Sequence, residues 1–509
     1  MFTLRQLLRS RAAGIAGLSY VAFAANSLCT LISIPLAVAY LGKEQIALWT
    51  LVSQIVSYLV WMDLGVGDAI GRKIAEPVAT GDKQEINAWW TLSIGVLAIQ
   101  GLLLLIVGLL VWPLWGHWFS ISPTLSPDAL WLFSAALISA ALSMPMRAYP
   151  GLLLAQQRFA WVPGSQCLAP WVQLAVFAAC LYSGWGAKSY FFGVFAGHLI
   201  GWIIMGFAVH CGPSQVQIVR GAFSVQRAKS LFSYSGSVAL VGFTQTLSQS
   251  LPSVMLGRLG GLSSVPVYGF TARIPELTGI LNQRTSHAFY PNLQNLIVTG
   301  QRDLFRHKYR EVQGLSIALG LMAAALILLG NRTIVSWLAA PSFFAGSHVS
   351  LWFAVMAVTL PYARSFNHLL QYSGNMGKAP LVSLLNVIMA AFFGWLAFRQ
   401  FGMAGLAATF AILPPLGISL YSAARGSRNC GFRTWNLCGR GFLELSAVLT
   451  LVIGAGIWCI SGAQTNDEIM IFGRMTAVPG LREGLTACTL IPIGIAFVWV
   501  HLRRIRRHS

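Results

Sequence analysis

Apolar runs long enough to cross a bilayer recur along the whole chain, and no other feature restricts its folding so severely. Lipid offers no partner to a free backbone N–H or C=O, so a chain that crosses it repeatedly must do so as helices or as a closed barrel. The runs here are mostly about 20 residues or longer, the length of a spanning helix and about twice that of a barrel strand. Fourteen can be placed, at about 14–41, 46–66, 88–113, 129–154, 162–183, 189–210, 231–257, 265–289, 312–337, 349–372, 380–398, 403–423, 443–461 and 485–502. Only 9% of the 509 residues are charged, against about a quarter in a soluble protein. The expectation is an all-α polytopic membrane protein.

An even number of spans puts both termini on one side, and the charges select it. With the N-terminus inside, 23 of the 34 lysines and arginines fall in inner loops and tails and 7 in outer ones. Cytoplasmic loops carry such an excess, so both ends are expected inside. The same asymmetry accounts for most of the net charge of +20, and no nucleic-acid partner is needed to explain it. Arg5, Arg9 and Arg11 before an apolar run imitate a secretion signal, but the run continues to Leu41. That exceeds a signal's apolar region and predicts an uncleaved first span. Eight cysteines are scattered without a CxxC pair or histidines at zinc spacing, so no metal or cofactor is expected. No nucleotide-binding loop or catalytic triad is present, which speaks against an ATP-driven pump or a glycosyltransferase and for a transporter that is not an enzyme.

Four cations remain inside spans: Arg147, Arg273, Arg284 and Arg364. Burying an arginine in a span costs roughly 2.5–3.5 kcal/mol on insertion scales, so such residues are normally paired or functional. Two of them sit in matching segments. Pro145-Met146-Arg147 is followed by Pro163, and Pro361-Tyr362-Ala363-Arg364 by Pro380, with both arginines and both later prolines 217 residues apart. Pro35 and Pro252 share that spacing, and the polar stripe Ser19, Asn26, Thr30 returns as Ser237, Thr244, Ser248. The chain therefore reads as a six-span duplication, as transporters often contain. An N-terminal lobe would take residues 1–212, a C-terminal lobe 213–425, and two accessory spans with a basic tail 426–509.

The eighth span is the least apolar. At about 100° per residue Arg273 and Arg284 fall roughly 20° apart, with Glu276 and His287 beside them and Asn282 pointing away. Glu276 can reach Arg273 at i,i+3, and Pro275 removes a backbone donor and invites a kink. This face could line a water-filled cationic cavity, or serve as an ion-pair network that only joins helices. Snorkelling to the surface could relieve Arg273 and Arg284, but Arg147 and Arg364 lie about 15 Å from the inner loops. Guanidinium forks suit phosphate and carboxylate oxygens, so four arginines against one deep glutamate favour an anionic cargo. Asn26, Gln54, Thr244 and Ser248 could bond a hydroxyl-rich cargo or simply pack between helices. Near the inner end of span 2, Asp63-Leu64-Gly65-Val66-Gly67-Asp68 precedes Arg72 and Lys73. It lacks the strand and the Gly-Lys-Ser/Thr of a phosphate loop, and reads as a bend with Asp63 or Asp68 paired to the basic loop.

Two segments carry a family resemblance. Ser33-Ile34-Pro35-Leu36-Ala37-Val38-Ala39-Tyr40-Leu41-Gly42-Lys43-Glu44-Gln45 and Met62-Asp63-Leu64-Gly65-Val66-Gly67-Asp68-Ala69-Ile70-Gly71-Arg72-Lys73 resemble the start of bacterial polysaccharide flippases. These belong to the multidrug/oligosaccharidyl-lipid/polysaccharide (MOP) superfamily. The resemblance implies two six-helix bundles plus two C-terminal helices in the cytoplasmic membrane. It also implies that undecaprenyl-pyrophosphate-linked oligosaccharide is flipped to the outer leaflet by alternating access, with polysaccharide polymerase machinery as a possible partner. Carried over by position, pyrophosphate binding falls on Arg147, Arg273, Arg284 and Arg364, and proton or ion coupling could involve Glu276, Asp63 or His287. An ion-coupled multidrug exporter and a lipid II flippase are the rivals with this layout. A membrane-embedded glycan polymerase would be expected to carry catalytic residues on a large outer loop.

Overall fold

The computed structural model describes residues 11–60, 66–118, 126–158, 160–211, 216–219, 224–372, 376–464, 468–471 and 474–477. Helices stand at every expected span up to the thirteenth; the fourteenth, about 485–502, lies outside the described residues. Among the described residues, nine helical segments are long and apolar enough to cross a membrane. Apart from a hairpin pairing β1 (Glu468–Ile471) with β2 (Arg474–Ala477), the described elements are all helical. The chain divides into two compact units, Met1–Pro266 and Val267–Ser509.

The first unit holds α1 (Arg11–Tyr40), α2 (Lys43–Val60), α3 (Val66–Thr80), α4 (Lys83–Trp118), α5 (Ser126–Met146), α6 (Ala148–Ala155), α7 (Trp161–Tyr182), α8 (Lys188–His210) and α9 (Val225–Leu259). Helix α7 pairs with α8 and packs on α1, and α4 packs on α5 and α3. The buried core under α3 and α6 comprises Ile70, Ile74, Trp90, Leu97, Leu152 and Leu153, among others. It is close-packed because two helices touch by backbone: a Cβ on Gly71 would stand 3.1 Å from the Gly151 carbonyl, and one on Gly151 3.0 Å from the Gly67 carbonyl. Small residues four apart on a helix allow such approach.

The helix of expected span 7, α9, belongs to this unit and packs on α2 and α3. Arg227 near its start meets Glu85 of α4 at 2.6 Å. The segment 216–219 before it is strapped to α4, where Asn87 Oδ1 accepts from the Gln217 N–H (2.9 Å) and Thr91 Oγ1 from the Val219 N–H (3.0 Å). Four helical residues rise about 6 Å, close to the advance of two extended ones, which is why the two spacings match.

The second unit begins within α10 (Ser264–Thr271), and continues through α11 (Arg273–Val298), α12 (Arg302–Leu338), α13 (Ser347–Tyr372), α14 (Ala379–Asn429) and α15 (Thr434–Gln464). Expected spans 11 and 12 are both contained in α14, broken at Gly402 (φ 60°, ψ −144°). The hub is α13, which packs on α11, α12, α14 and α15. Of its most apolar stretch 78% is buried, so Ser350, Thr359, Ser365, Asn367 and His368 are enclosed by protein.

Prolines shape this unit through the carbonyls they leave unpaired, which a bilayer cannot satisfy. Pro275 deprives the Thr271 carbonyl of its helical donor, and the chain breaks between α10 and α11 at Ala272. Asn331 Nδ2, on buried α12, donates to that carbonyl at 3.1 Å and to Ser350 Oγ at 3.1 Å. Pro415 likewise frees the Ala411 carbonyl, which accepts from Thr359 Oγ1 at 2.9 Å.

Candidate functional site

Arg147 is the joint between α5 and α6. Its N–H bonds to the Met144 carbonyl at 3.1 Å, a tight turn flanked by Pro145 and Pro150. Gly67 of α3 lies against it, where a Cβ would stand 3.2 Å from the Arg147 carbonyl and 3.3 Å from its Cβ. Gly67 of the Asp63–Asp68 segment thus lets α3 approach the arginine-bearing joint. Asp63 lies outside the described residues, as does the Asp68 side chain.

Arg364 lies on continuous helix, about two turns before the end of α13, and is partly buried. Its Nη1 donates to the Gly279 carbonyl of α11 at 3.2 Å. One turn earlier on α11, Arg273 Nη1 donates to Glu276 Oε2 at 2.8 Å, with side-chain exposures of 30% and 48%. Three of the expected site residues therefore gather within two turns of α11: an ion pair and, a turn beyond it, an arginine anchored on a backbone carbonyl. The two guanidiniums outnumber the carboxylate, so the cluster keeps a net positive charge suited to an anion. Asn282 points away, donating to the Ser316 carbonyl of α12 at 3.1 Å. Arg284 and His287 belong to α11, and their side chains lie outside the described residues.

The two proline–arginine segments share a packing device that the spacing alone did not reveal. Pro145 frees the Ala141 carbonyl and Pro361 frees the Ala357 carbonyl, each four residues earlier. A glycine from the long preceding helix sits on each: a Cβ on Gly101 would stand 2.7 Å from Ala141 O, and one on Gly320 2.8 Å from Ala357 O. Both units thus hold their arginine-bearing helix in the same manner.

Of the polar positions expected to face cargo, Thr244 bonds its own helix, and Asn26 and Gln54 lend their backbone carbonyls to neighbouring hydroxyls. Asn26 is exposed on α1 and its carbonyl accepts from Thr30 Oγ1 at 2.7 Å. The Gln54 carbonyl accepts from Ser57 Oγ at 2.7 Å. Thr244 is buried with its hydroxyl on the Val241 carbonyl at 2.9 Å, and Ser248 is partly buried on the same helix. Bonding to one's own helix is how hydroxyls are accommodated in apolar spans.

Sequence reasoning did not single out the buried polar groups beside Arg364. Tyr309 donates to the Ser365 carbonyl (3.2 Å) and accepts from Gln313 Nε2 (3.2 Å), while Ser422 donates to Asn367 Oδ1 (2.7 Å). Tyr309 and Gln313 stand at i,i+4 and so share a helix face, a signal that could have found them.

Helices that cross a bilayer, a repeated proline–arginine device and a cationic cluster on α11 define a membrane transporter. The fold is that of the MOP superfamily. An inward-facing multidrug resistance MATE family transporter of that superfamily superposes with a TM-score of 0.66 at 13% identity, over 85% of this chain and 99% of its own. A MOP superfamily transporter from Pyrococcus furiosus, described by a binding pocket of reversed polarity, gives 0.62 at 15% identity over 87% and 98%. The Vibrio cholerae MATE transporter gives 0.59 at 15% identity over 82% and 99%. No curated protein sequence matches the chain. Residues 44–338 match the family of polysaccharide biosynthesis proteins, and the chain belongs to that family.

Proposed function

We propose that this multi-pass transporter flips undecaprenyl-pyrophosphate-linked oligosaccharide from the inner to the outer leaflet of the bacterial cytoplasmic membrane by alternating access. Pyrophosphate binding is assigned to the arginines within spans, Arg147 in the first unit and Arg273, Arg284 and Arg364 in the second, while the prenyl tail stays in lipid. The observation that carries the reading is Arg364: an arginine in the hub helix of a polysaccharide-biosynthesis family member, bonded to a backbone carbonyl. A carbonyl bond fixes the guanidinium without neutralising it, which leaves its charge for an anion. An inside-negative potential favours outward movement of a dianion by roughly 4.6 kcal/mol per 100 mV if both charges cross uncompensated.

The test is a deletion strain complemented with wild type, Arg147→Ala or Arg364→Ala. Lipid-linked oligosaccharide should accumulate on the inner leaflet of the deletion strain, and neither variant should restore surface polysaccharide although both reach the membrane. Normal polysaccharide in both variants would sink the assignment.

The likeness to MATE transporters favours a second reading, an ion-coupled multidrug exporter of the same fold. Glu276 would then be the coupling carboxylate, but its carboxylate is already engaged by Arg273 at 2.8 Å. Drug sensitivity of the deletion strain with unchanged surface polysaccharide would favour the exporter.

A further inference from the structure

The start of α12 and the loop between α14 and α15 lie far apart in sequence and form one surface. The end of α14 is closed by paired backbone bonds, Phe432 N–H to Ser427 O (2.8 Å) and Gly431 N–H to Arg428 O (3.0 Å), with Gly431 at φ 80°. This left-handed cap sends the following residues across the first turns of α12. There the Arg302 guanidinium lies over Gly431, where a Cβ would stand 2.9 Å from Arg302 Cζ. The Phe305 and Phe432 rings stack at 5.9 Å, and Arg310 donates to the Asn436 carbonyl.

The surface so formed is predominantly cationic. Arg302, Arg425, Arg428 and Arg433 are all exposed, and Arg306 stands partly buried on α12, a turn after Arg302. No acidic residue occurs between positions 425 and 440. On the first turns of α12 the acids are Asp303 and Glu311, and the Glu311 carboxylate is buried, 3.0 Å from His307 and 3.2 Å from Lys308. The Glu311 charge is thus turned inward, while Asp303 is exposed beside Arg302 and leaves the arginines in excess. The patch is also continuous with a membrane span. Trp435, 69% exposed, stands in the first turn of α15, and Leu443, 60% exposed, follows about two turns on. The helix is apolar enough to cross a membrane from Thr434 to Ile457. An exposed tryptophan at the mouth of a span sits at headgroup level.

We propose that this surface binds anionic phospholipid of the leaflet it faces, with headgroup phosphate on Arg302, Arg425, Arg428 and Arg433 and an acyl chain along Trp435 and Leu443. Charge alone would also suit an acidic protein segment. The exposed tryptophan and leucine running into a span fit a lipid, which has apolar surface just where the phosphates end. The site is independent of the transported cargo and rests only on the membrane character of the chain.

The test uses purified full-length protein in zwitterionic nanodiscs, titrated with phosphatidylglycerol, phosphatidylcholine, inorganic phosphate or poly-glutamate, with thermal stabilisation as the readout. Phosphatidylglycerol should stabilise the wild type and phosphatidylcholine should not. Each cation near a membrane surface contributes about 1 kcal/mol, or about fivefold in affinity. The triple variant Arg425→Gln, Arg428→Gln, Arg433→Gln should therefore bind the lipid about a hundredfold more weakly, with unchanged stability in the zwitterionic disc. The corresponding lysine variant should keep most of the response. Trp435→Ser should weaken the response to phosphatidylglycerol, and serves as the test if the glutamine variant does not fold. A glutamine variant with wild-type lipid affinity, or an unaltered response in Trp435→Ser, would overturn the proposal. So would a full response to inorganic phosphate, which would mark a free-phosphate site, or to poly-glutamate without one to lipid, which would mark a protein-docking surface.

Discussion

Gly320 packs on the carbonyl that Pro361 leaves unpaired at Ala357, so closely that a Cβ would stand 2.8 Å from the oxygen and 3.0 Å from the Val358 Cα. The contact is backbone on backbone, and neither side can yield by turning a rotamer. Overpacking a close contact costs about 1–3 kcal/mol. Gly320→Val should lower the apparent melting temperature of the purified transporter, and Gly101→Val should do the same through Ala141. Gly269 has open space around it, so Gly269→Ala controls for loss of helical glycine. Equal melting temperatures for Gly320→Val and the control would remove the packing role.

Asn331 is 1% exposed and is the donor to the carbonyl that Pro275 frees at Thr271. Replacing it by leucine keeps bulk but leaves a buried acceptor without its protein donor, at a cost of about 1–3 kcal/mol. Asn331→Leu should therefore destabilise the protein. The double variant Asn331→Leu, Pro275→Ala should recover part of the loss, because an alanine in place of the proline restores the helical donor. Absence of any recovery in thermal unfolding would show that Asn331 acts elsewhere.

The reading from sequence reached the helices, the duplicated proline–arginine segments, the Arg273–Glu276 pair and the opposed direction of Asn282. Each of these follows from periodicity or from a charge in an apolar run. It stopped where the answer depends on a neighbour in space. That Asn331 serves Pro275 spans 56 positions, and nothing in either local pattern joins them. The contacts of Gly67 with Arg147 and of Gly71 with Gly151 needed the fold. Thr244, whose hydroxyl bonds the Val241 carbonyl, shows the converse limit. A hydroxyl that bonds its own helix and one that meets a ligand have the same spacing in a sequence.

The expected orientation can be read from two cysteines. Cys211 is exposed just after α8, on the side expected to be cytoplasmic, whereas Cys430 is buried at the end of α14 and burial pushes its thiol up to about 11. The thiolate is the reacting species. In a variant retaining only Cys211, a membrane-impermeant maleimide should label inverted vesicles and leave intact spheroplasts unlabelled. A variant retaining only Cys430 should label on neither side until the protein is denatured. Labelling of Cys211 from the outer face would reverse the orientation and with it the leaflet from which cargo enters.

The Arg273–Glu276 pair separates a structural from a functional use of charge. Its members are 30% and 48% exposed, and exposed pairs are worth about 0.2–1 kcal/mol. A double-mutant cycle on stability with Arg273→Ala and Glu276→Ala should give a coupling no larger than that. The reversed pair, Arg273→Glu with Glu276→Arg, keeps the bond and the net charge but moves the cation by about 60° around α11 and one turn closer to Gly279, where Arg364 is anchored. If the cluster only joins helices, the reversed protein should be as active as wild type. If it holds an anion, stability should stay within about 1 kcal/mol while surface polysaccharide falls well below wild type. Full activity in the reversed variant would assign Arg273 to structure and leave Arg364 as the anion-binding residue of that turn.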